Sequence, residues 1–174
     1  MKKGFVKLAV RDIQPDSIVD GEGIRTVIWF QGCSHNCKGC HNPETHDFNA
    51  GYEVAIDDVK KQIDDLEFQT GVTFSGGDPM MQVEALAILA KYVHEKGMNV
   101  WCYTGYLFED LLKMAETNSR YLDALKDIDV LVEGKFVLEL KSMDVPFRGS
   151  SNQRIIDVKK SLGKRKAILI DKYN

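Results

Sequence analysis

The sequence predicts an α/β fold: a mostly parallel sheet with helices outside it, a partial (βα) barrel of one domain spanning residues 1–174. Three observations predict it. The apolar pattern switches repeatedly between a period of two and a period near 3.6 residues. Unusual turns, rich in cysteine or glycine, recur where a strand ends and before a helix begins. The chain is also too short for a closed eightfold barrel, since 174 residues fall well below the about 250 that such barrels usually need.

The elements follow in order. Residues 5–10 and 26–30 are rich in β-branched and aromatic side chains and read as strands. Residues 31–51 have no period and carry three of the four histidines and three of the four cysteines, so they form a long loop. A structureless stretch of that length in a compact domain tends to be functional. A helix is predicted over 56–68, where Ile56, Val59, Ile63 and Leu66 share one face. Residues 72–74 make a short strand, and Ser75-Gly76-Gly77-Asp78-Pro79 turns the chain into a helix over 80–96. Leu86, Leu89, Ala90 and Val93 form its buried stripe, and Gly97 ends it. A strand over 99–103, a helix over 107–115 and a strand over 129–133 complete the alternation. Residues 155–174 read as an extension, with β segments at 155–162 and 167–170 separated by Gly163.

Composition narrows the function. Apolar residues make up 44% and charged residues 28%, which excludes collagen, coiled coil and wholesale disorder. A net charge of −3 argues against a nucleic-acid partner gripped by overall basicity. No apolar run approaches the roughly 20 residues needed to span a bilayer. Met1-Lys2-Lys3-Gly4 leads into a short apolar stretch broken by Lys7, so no secretory signal is expected and the location is cytoplasmic.

The cysteines carry the chemistry. Cys33, Cys37 and Cys40 form a C-x3-C-x2-C run, while Cys102 sits in a strand and is expected to be a core thiol. In a reducing compartment clustered thiols point to a metal rather than to disulfides. Three thiolates hold three corners of a 4Fe–4S cube and leave one iron without a protein ligand. An open position marks a catalytic site, and the amino and carboxylate groups of S-adenosylmethionine suit it. The alternative is a structural zinc site completed by His35, His41 or His46 in a non-catalytic interaction module.

The three motifs that follow strands are the cysteine loop, Ser75-Gly76-Gly77-Asp78 and Thr104-Gly105-Tyr106. Ligands in parallel sheets sit at the carboxyl ends of strands, so all three are expected at one site. Gly76 and Gly77 permit close approach of a ligand, and Asp78 could take an ammonium group. Asp78 followed by Pro79 would equally start a helix with no ligand at all.

C-x3-C-x2-C after an early strand, followed by a Gly-Gly-acidic turn after a later one, resembles the radical S-adenosylmethionine superfamily. Val19-Asp-Gly-Glu-Gly-Ile-Arg-Thr and Phe30-Gln-Gly-Cys33 are similar to the glycyl-radical-enzyme activating proteins. Within them, Trp101-Cys-Tyr-Thr-Gly-Tyr106, Asp129-Val-Leu-Val-Glu-Gly-Lys-Phe136 and Arg148-Gly-Ser-Ser-Asn-Gln153 resemble the branch that serves anaerobic ribonucleotide reductase. The resemblance runs from about residue 19 to 153. Many superfamily members place an aromatic residue before the third cysteine. This chain has Gly39 there and His41 after Cys40, as the reductase branch does.

The resemblance implies a cluster held by Cys33, Cys37 and Cys40, and S-adenosylmethionine bound by Gly39, Cys40, His41, Gly76, Gly77, Asp78 and Thr104. It implies reduction by a flavodoxin-like donor and a glycyl radical made on the large subunit of the reductase. The nearer rivals are a pyruvate formate-lyase activator or another small radical enzyme such as a deazaguanine synthase. Arg148 to Arg154 could face the cofactor carboxylate or the partner, or be a polar surface loop. Lys159, Lys160, Lys164, Arg165 and Lys166 read as a solvated basic face.

Overall fold

The structure, a computed structural model, describes residues 4–174; the opening Met1-Lys2-Lys3, read above as part of no secretory signal, lies outside them. The strands are β1 (Phe5–Ser17), β2 (Arg25–Phe30), β3 (Tyr52–Ala55), β4 (Gly71–Gly76), β5 (Asn99–Thr104), β6 (Val130–Glu133) and β7 (Arg154–Asp157). The helices are α1 (Ile56–Asp64), α2 (Val83–Glu95), α3 (Phe108–Thr117), α4 (Arg120–Lys126) and α5 (Val158–Lys164).

The strands form one open, seven-stranded sheet in the order β3-β1-β2-β4-β5-β6-β7. The expected α/β class holds, but the sheet is mixed. Strands β2, β4, β5 and β6 run parallel, β1 is antiparallel to both β2 and β3, and β7 is antiparallel to β6. Connection length explains the difference. Residues 18–24 are too few to cross over the sheet, so β1 and β2 pair as a hairpin. The crossovers from β2 to β6 each include a helix, which makes those strands parallel.

Every residue of β2 and β6 is buried, as in a sheet covered on both faces. Side chains alternate across it. Val100 and Cys102 enter the core that all five helices cover, while Trp101 and Tyr103 face the other way, towards Val130, Val132, Ile155 and Tyr173. Cys102 is the core thiol expected, and burial pushes it well above the usual thiol range.

Several boundaries differ from expectation. The helix predicted over 80–96 divides into a 3-10 turn, Pro79–Gln82, and α2. Asp78 caps that turn through a bond from the Met80 amide (3.0 Å), and Gly97, with φ +74°, ends α2 as predicted. Strand β3 and helix α4 had no counterpart in the sequence reading. The strand predicted over 155–162 stops at Asp157, whose carboxylate accepts from the Lys160 amide (2.9 Å) and starts α5. Residues 167–170 contribute one bridge, Ile156 to Leu169. No helix of the described residues is long and apolar enough to cross a membrane.

Candidate functional site

The site lies at the carboxyl ends of β2, β4 and β5. These parallel neighbours bring together the cysteine loop, the Gly76-Gly77 turn and Thr104. Cys33, Cys37, Cys40, Gly76, Gly77 and Thr104 line one cavity of about 130 Å³. A second cavity of about 370 Å³ adjoins it on the face of the sheet that Tyr103 occupies, and Cys40, Ser75 and Tyr103 belong to both. His41 lines the larger one and packs on Phe136, with ring centroids 4.8 Å apart. Gly39, with φ +74°, lies on the exposed side of the loop against Leu138.

The cysteine loop is fastened before any metal is considered. The Gly32 amide donates to the Thr45 carbonyl (2.8 Å) and the Cys33 amide to that of His46 (3.0 Å). Gln31 Nε2 donates to the carbonyls of Glu44 (3.1 Å) and Asp47 (2.8 Å). Gln82 in turn donates to the carbonyls of Gln31 and Lys7 (both 2.8 Å). These two buried glutamines tie β1, the start of the loop and its return into one block. Neither stood out in the sequence, since a lone glutamine has no spacing signature.

The Gly76-Gly77 turn packs directly on the same loop. A Cβ on Gly77 would stand 2.5 Å from the Gly32 carbonyl oxygen, and one on Gly76, where φ is +101°, 2.5 Å from that of Phe30. Glycine is required there because backbone meets backbone. Asp78 does not line the cavity but lies behind it, 1% exposed. Its oxygens accept from the Gly105 amide (2.9 Å), the Thr104 hydroxyl (2.9 and 3.0 Å) and His35 Nε2 (2.7 Å), besides the Met80 amide. One carboxylate therefore joins the cysteine loop, the glycine turn and the end of β5. His35, read above as a candidate zinc ligand, is instead engaged by Asp78 and packs edge-on against Tyr106.

Burial pushes the Cys33 thiol up to about 11 and also raises that of Cys40. Without metal these two thiols are protonated at neutral pH, so a metal must displace their protons. Two polar atoms near the larger cavity are buried and have no partner among the described residues: Trp29 Nε1 and Arg148 Nε. Val19 and Asp20 line the same cavity, which brings the first glycine-rich motif to the site.

Residues 19–156 match a domain family described as a 4Fe-4S single cluster domain. The chain is 37% identical, over 151 residues, to the anaerobic ribonucleoside-triphosphate reductase-activating protein of Haemophilus influenzae, covering 81% of this chain and 92% of that protein. It is 35% identical over 147 residues to the protein of that name from Escherichia coli K12 (80% and 92% covered). It is 33% identical over 149 residues to the one from bacteriophage T4 (82% and 90% covered). The chain belongs to the family of anaerobic ribonucleoside-triphosphate reductase-activating proteins.

The residues fit the cluster of that family. Three thiols share one cavity wall beside a turn kept free of side chains. Among the described residues no three His, Cys, Asp or Glu side chains converge as a single metal ion requires. Thiolates on separate corners of an iron–sulfur cube stand farther apart and need no such convergence. The basic residues Lys159, Lys160, Lys164, Arg165 and Lys166 are elsewhere. Lys159 and Lys160 stand at the start of α5, beside the start of β6, and Lys164, Arg165 and Lys166 follow at its close; none of the five lines either cavity.

Proposed function

We propose that this chain activates an anaerobic ribonucleotide reductase as a radical S-adenosylmethionine enzyme. The observation that carries the reading is the convergence of three cysteines, a side-chain-free glycine turn and Thr104 on one cavity that opens into a larger one. The relatives' names supply the target. Cys33, Cys37 and Cys40 would hold three irons of a 4Fe–4S cluster. When bound, that cluster and S-adenosylmethionine supply one-electron cleavage of the sulfonium and a 5′-deoxyadenosyl radical that takes a hydrogen from a backbone glycine of the reductase.

The chain's own residues orient and enclose. The backbone of Gly76 and Gly77 offers the surface against which a methionyl group can lie. Cys40 and His41 form the facing wall, with His41 braced by Phe136, while Gly39 takes the left-handed turn that leads into them. Asp78 holds Thr104, Gly105 and His35 in register behind that surface. No side chain acts as a general acid or base. The open sheet serves as a partial barrel whose inner face takes the segment of the reductase that carries the glycine. A flavodoxin-like protein supplies the electron, in a cytoplasm that keeps the thiols reduced.

The test is anaerobic reconstitution with iron and sulfide, then reduction in the presence of S-adenosylmethionine and the cognate reductase. A brown protein with broad visible absorption and a glycyl doublet in the electron paramagnetic resonance spectrum of the reductase are expected. A colourless, zinc-loaded protein, or a reductase left without that doublet, refutes the reading.

A further inference from the structure

We infer that the segment 171–174 is a strut that positions the two walls of the larger cavity for the reductase, with Tyr173 and Asn174 as its positioning residues. This rests on the reading that the cavity receives a segment of that partner. The family match ends at residue 156, so the strut lies beyond it. After α5 the chain returns along the edge of the sheet beside β7, where the Asp157 amide donates to the Ile168 carbonyl and the Ile170 amide to the Ile155 carbonyl (both 2.9 Å). Asp171–Tyr173 is then a 3-10 turn that seats the Tyr173 ring, 8% exposed, between Trp101 and Phe147 at 5.7 and 5.4 Å.

From that seat the segment reaches both walls. Towards the 18–24 connection, the Glu22 carboxylate accepts from Lys172 Nζ (2.7 and 2.9 Å) and from the Tyr173 hydroxyl (2.6 Å). Asp20, two residues earlier, lines the cavity. On the other side, Arg148 Nη2 donates to the Tyr173 carbonyl (2.6 Å), and Nη1 to Asn174 Oδ1 (3.0 Å) and the Gln153 carbonyl (2.8 Å). Asn174 is itself anchored, since its Nδ2 donates to the carbonyls of Ile155 (2.8 Å) and Ile170 (2.9 Å).

The arrangement fixes the roll of the Arg148 guanidinium. Three of its five N–H groups are engaged, and Nε is buried and without a partner among the described residues. With Trp29 Nε1 it makes two unclaimed donors on residues that line one cavity.

The experiment uses the full chain, Asn174→Ala, Asn174→Asp and a deletion of 171–174. Binding of the cognate reductase to the cluster-free protein is measured by calorimetry. Melting temperature and release of 5′-deoxyadenosine without reductase are measured in parallel. Asn174→Ala is expected to weaken binding about fivefold and the deletion about tenfold or more, while 5′-deoxyadenosine release stays within about twofold. Asn174→Asp keeps the acceptor for Arg148 but sets an oxygen against the Ile155 and Ile170 carbonyls, and is expected to weaken binding as Asn174→Ala does. Parent-like binding by both Asn174→Ala and the deletion overturns the strut alone. Equal losses in binding, uncoupled cleavage and melting temperature also overturn it, by reducing the segment to general stability. A parent chain that binds no reductase overturns the proposed function with it.

Discussion

Asp78→Asn removes a charge with almost no change of shape, and its effect follows from donor and acceptor counting. Oδ1 accepts from the Met80 amide (3.0 Å), and Oδ2 accepts from the Gly105 amide (2.9 Å) and His35 (2.7 Å). Asparagine has one accepting arm and one donating arm. Whichever way it turns, a backbone N–H that cannot reverse meets an NH2 group. One buried N–H without an acceptor costs about 1–3 kcal/mol, and loss of charge from the remaining bonds adds roughly 1 kcal/mol. The sum is about 2–4 kcal/mol, or roughly 5–15 °C of melting temperature for a chain of this size. Urea unfolding of the reduced, cluster-free protein, followed by circular dichroism, reads it directly. Asp57→Asn, which alters an exposed pair with Lys60, is the control and is expected to change stability by less than about 0.5 kcal/mol. If Asp78→Asn unfolds at the same urea concentration as this control, the carboxylate is not what joins the three loops.

Four further outcomes are expected. Gly76→Ala places a Cβ 2.5 Å from the Phe30 carbonyl oxygen at a φ of +101°, and strain and overpacking together cost about 2–5 kcal/mol; a parent-like urea midpoint contradicts this. Cys37→Ala, at a half-buried loop position, leaves stability within about 1 kcal/mol of the parent but abolishes the visible absorption of the reconstituted cluster and S-adenosylmethionine cleavage, so persistent cleavage removes Cys37 from the ligand set. Reversing the charges of Lys164 and Arg165 leaves cluster reduction by a flavodoxin-like donor unchanged, because neither residue lines the cavities that the cysteines face; a slowed stopped-flow rate contradicts that. Hydrogen bonds from Lys172 and Tyr173 hold the Glu22 carboxyl below its usual value of 4.5. A lowered folded value stabilises fully above the unfolded one and loses that contribution as pH falls through the lowered value. Tryptophan fluorescence is therefore expected to report loosening around Trp101 below pH 4.5, and the same acid limb in Glu22→Gln contradicts it.

The parts of the fold that were legible in the sequence are those whose signal is local. The four parallel strands are apolar runs, three of which end in odd turns, and α2 carries both an Asp-Pro start and a glycine stop. Strand β3 was hidden because its four residues, Tyr52–Ala55, make an exposed or half-buried edge with no alternation. Helix α5 was hidden because Ile155, Ile156 and Val158 read as one β-rich run, while Asp157 within it is a cap. At the site, the cysteines and glycines announced themselves by spacing. His35, Gln31 and Gln82 did not, since each acts through a partner at least 13 positions away, as when Gln31 reaches the Glu44 carbonyl. The sequence offered two uses for Asp78, helix start and ligand. The structure adds a third, because the partners that engage its carboxylate, Thr104 and Gly105, become neighbours only when β4 and β5 align.

The glutamine-fastened cysteine loop has a consequence for the protein's working life. Small zinc domains collapse when their ion is lost, because the ion itself supplies the folding free energy. Here the scaffold is closed by amide and carbonyl groups that oxygen does not attack. Air that destroys the inorganic part would leave a shaped, empty cradle ready for repair, so damage in such a protein calls for refilling rather than resynthesis.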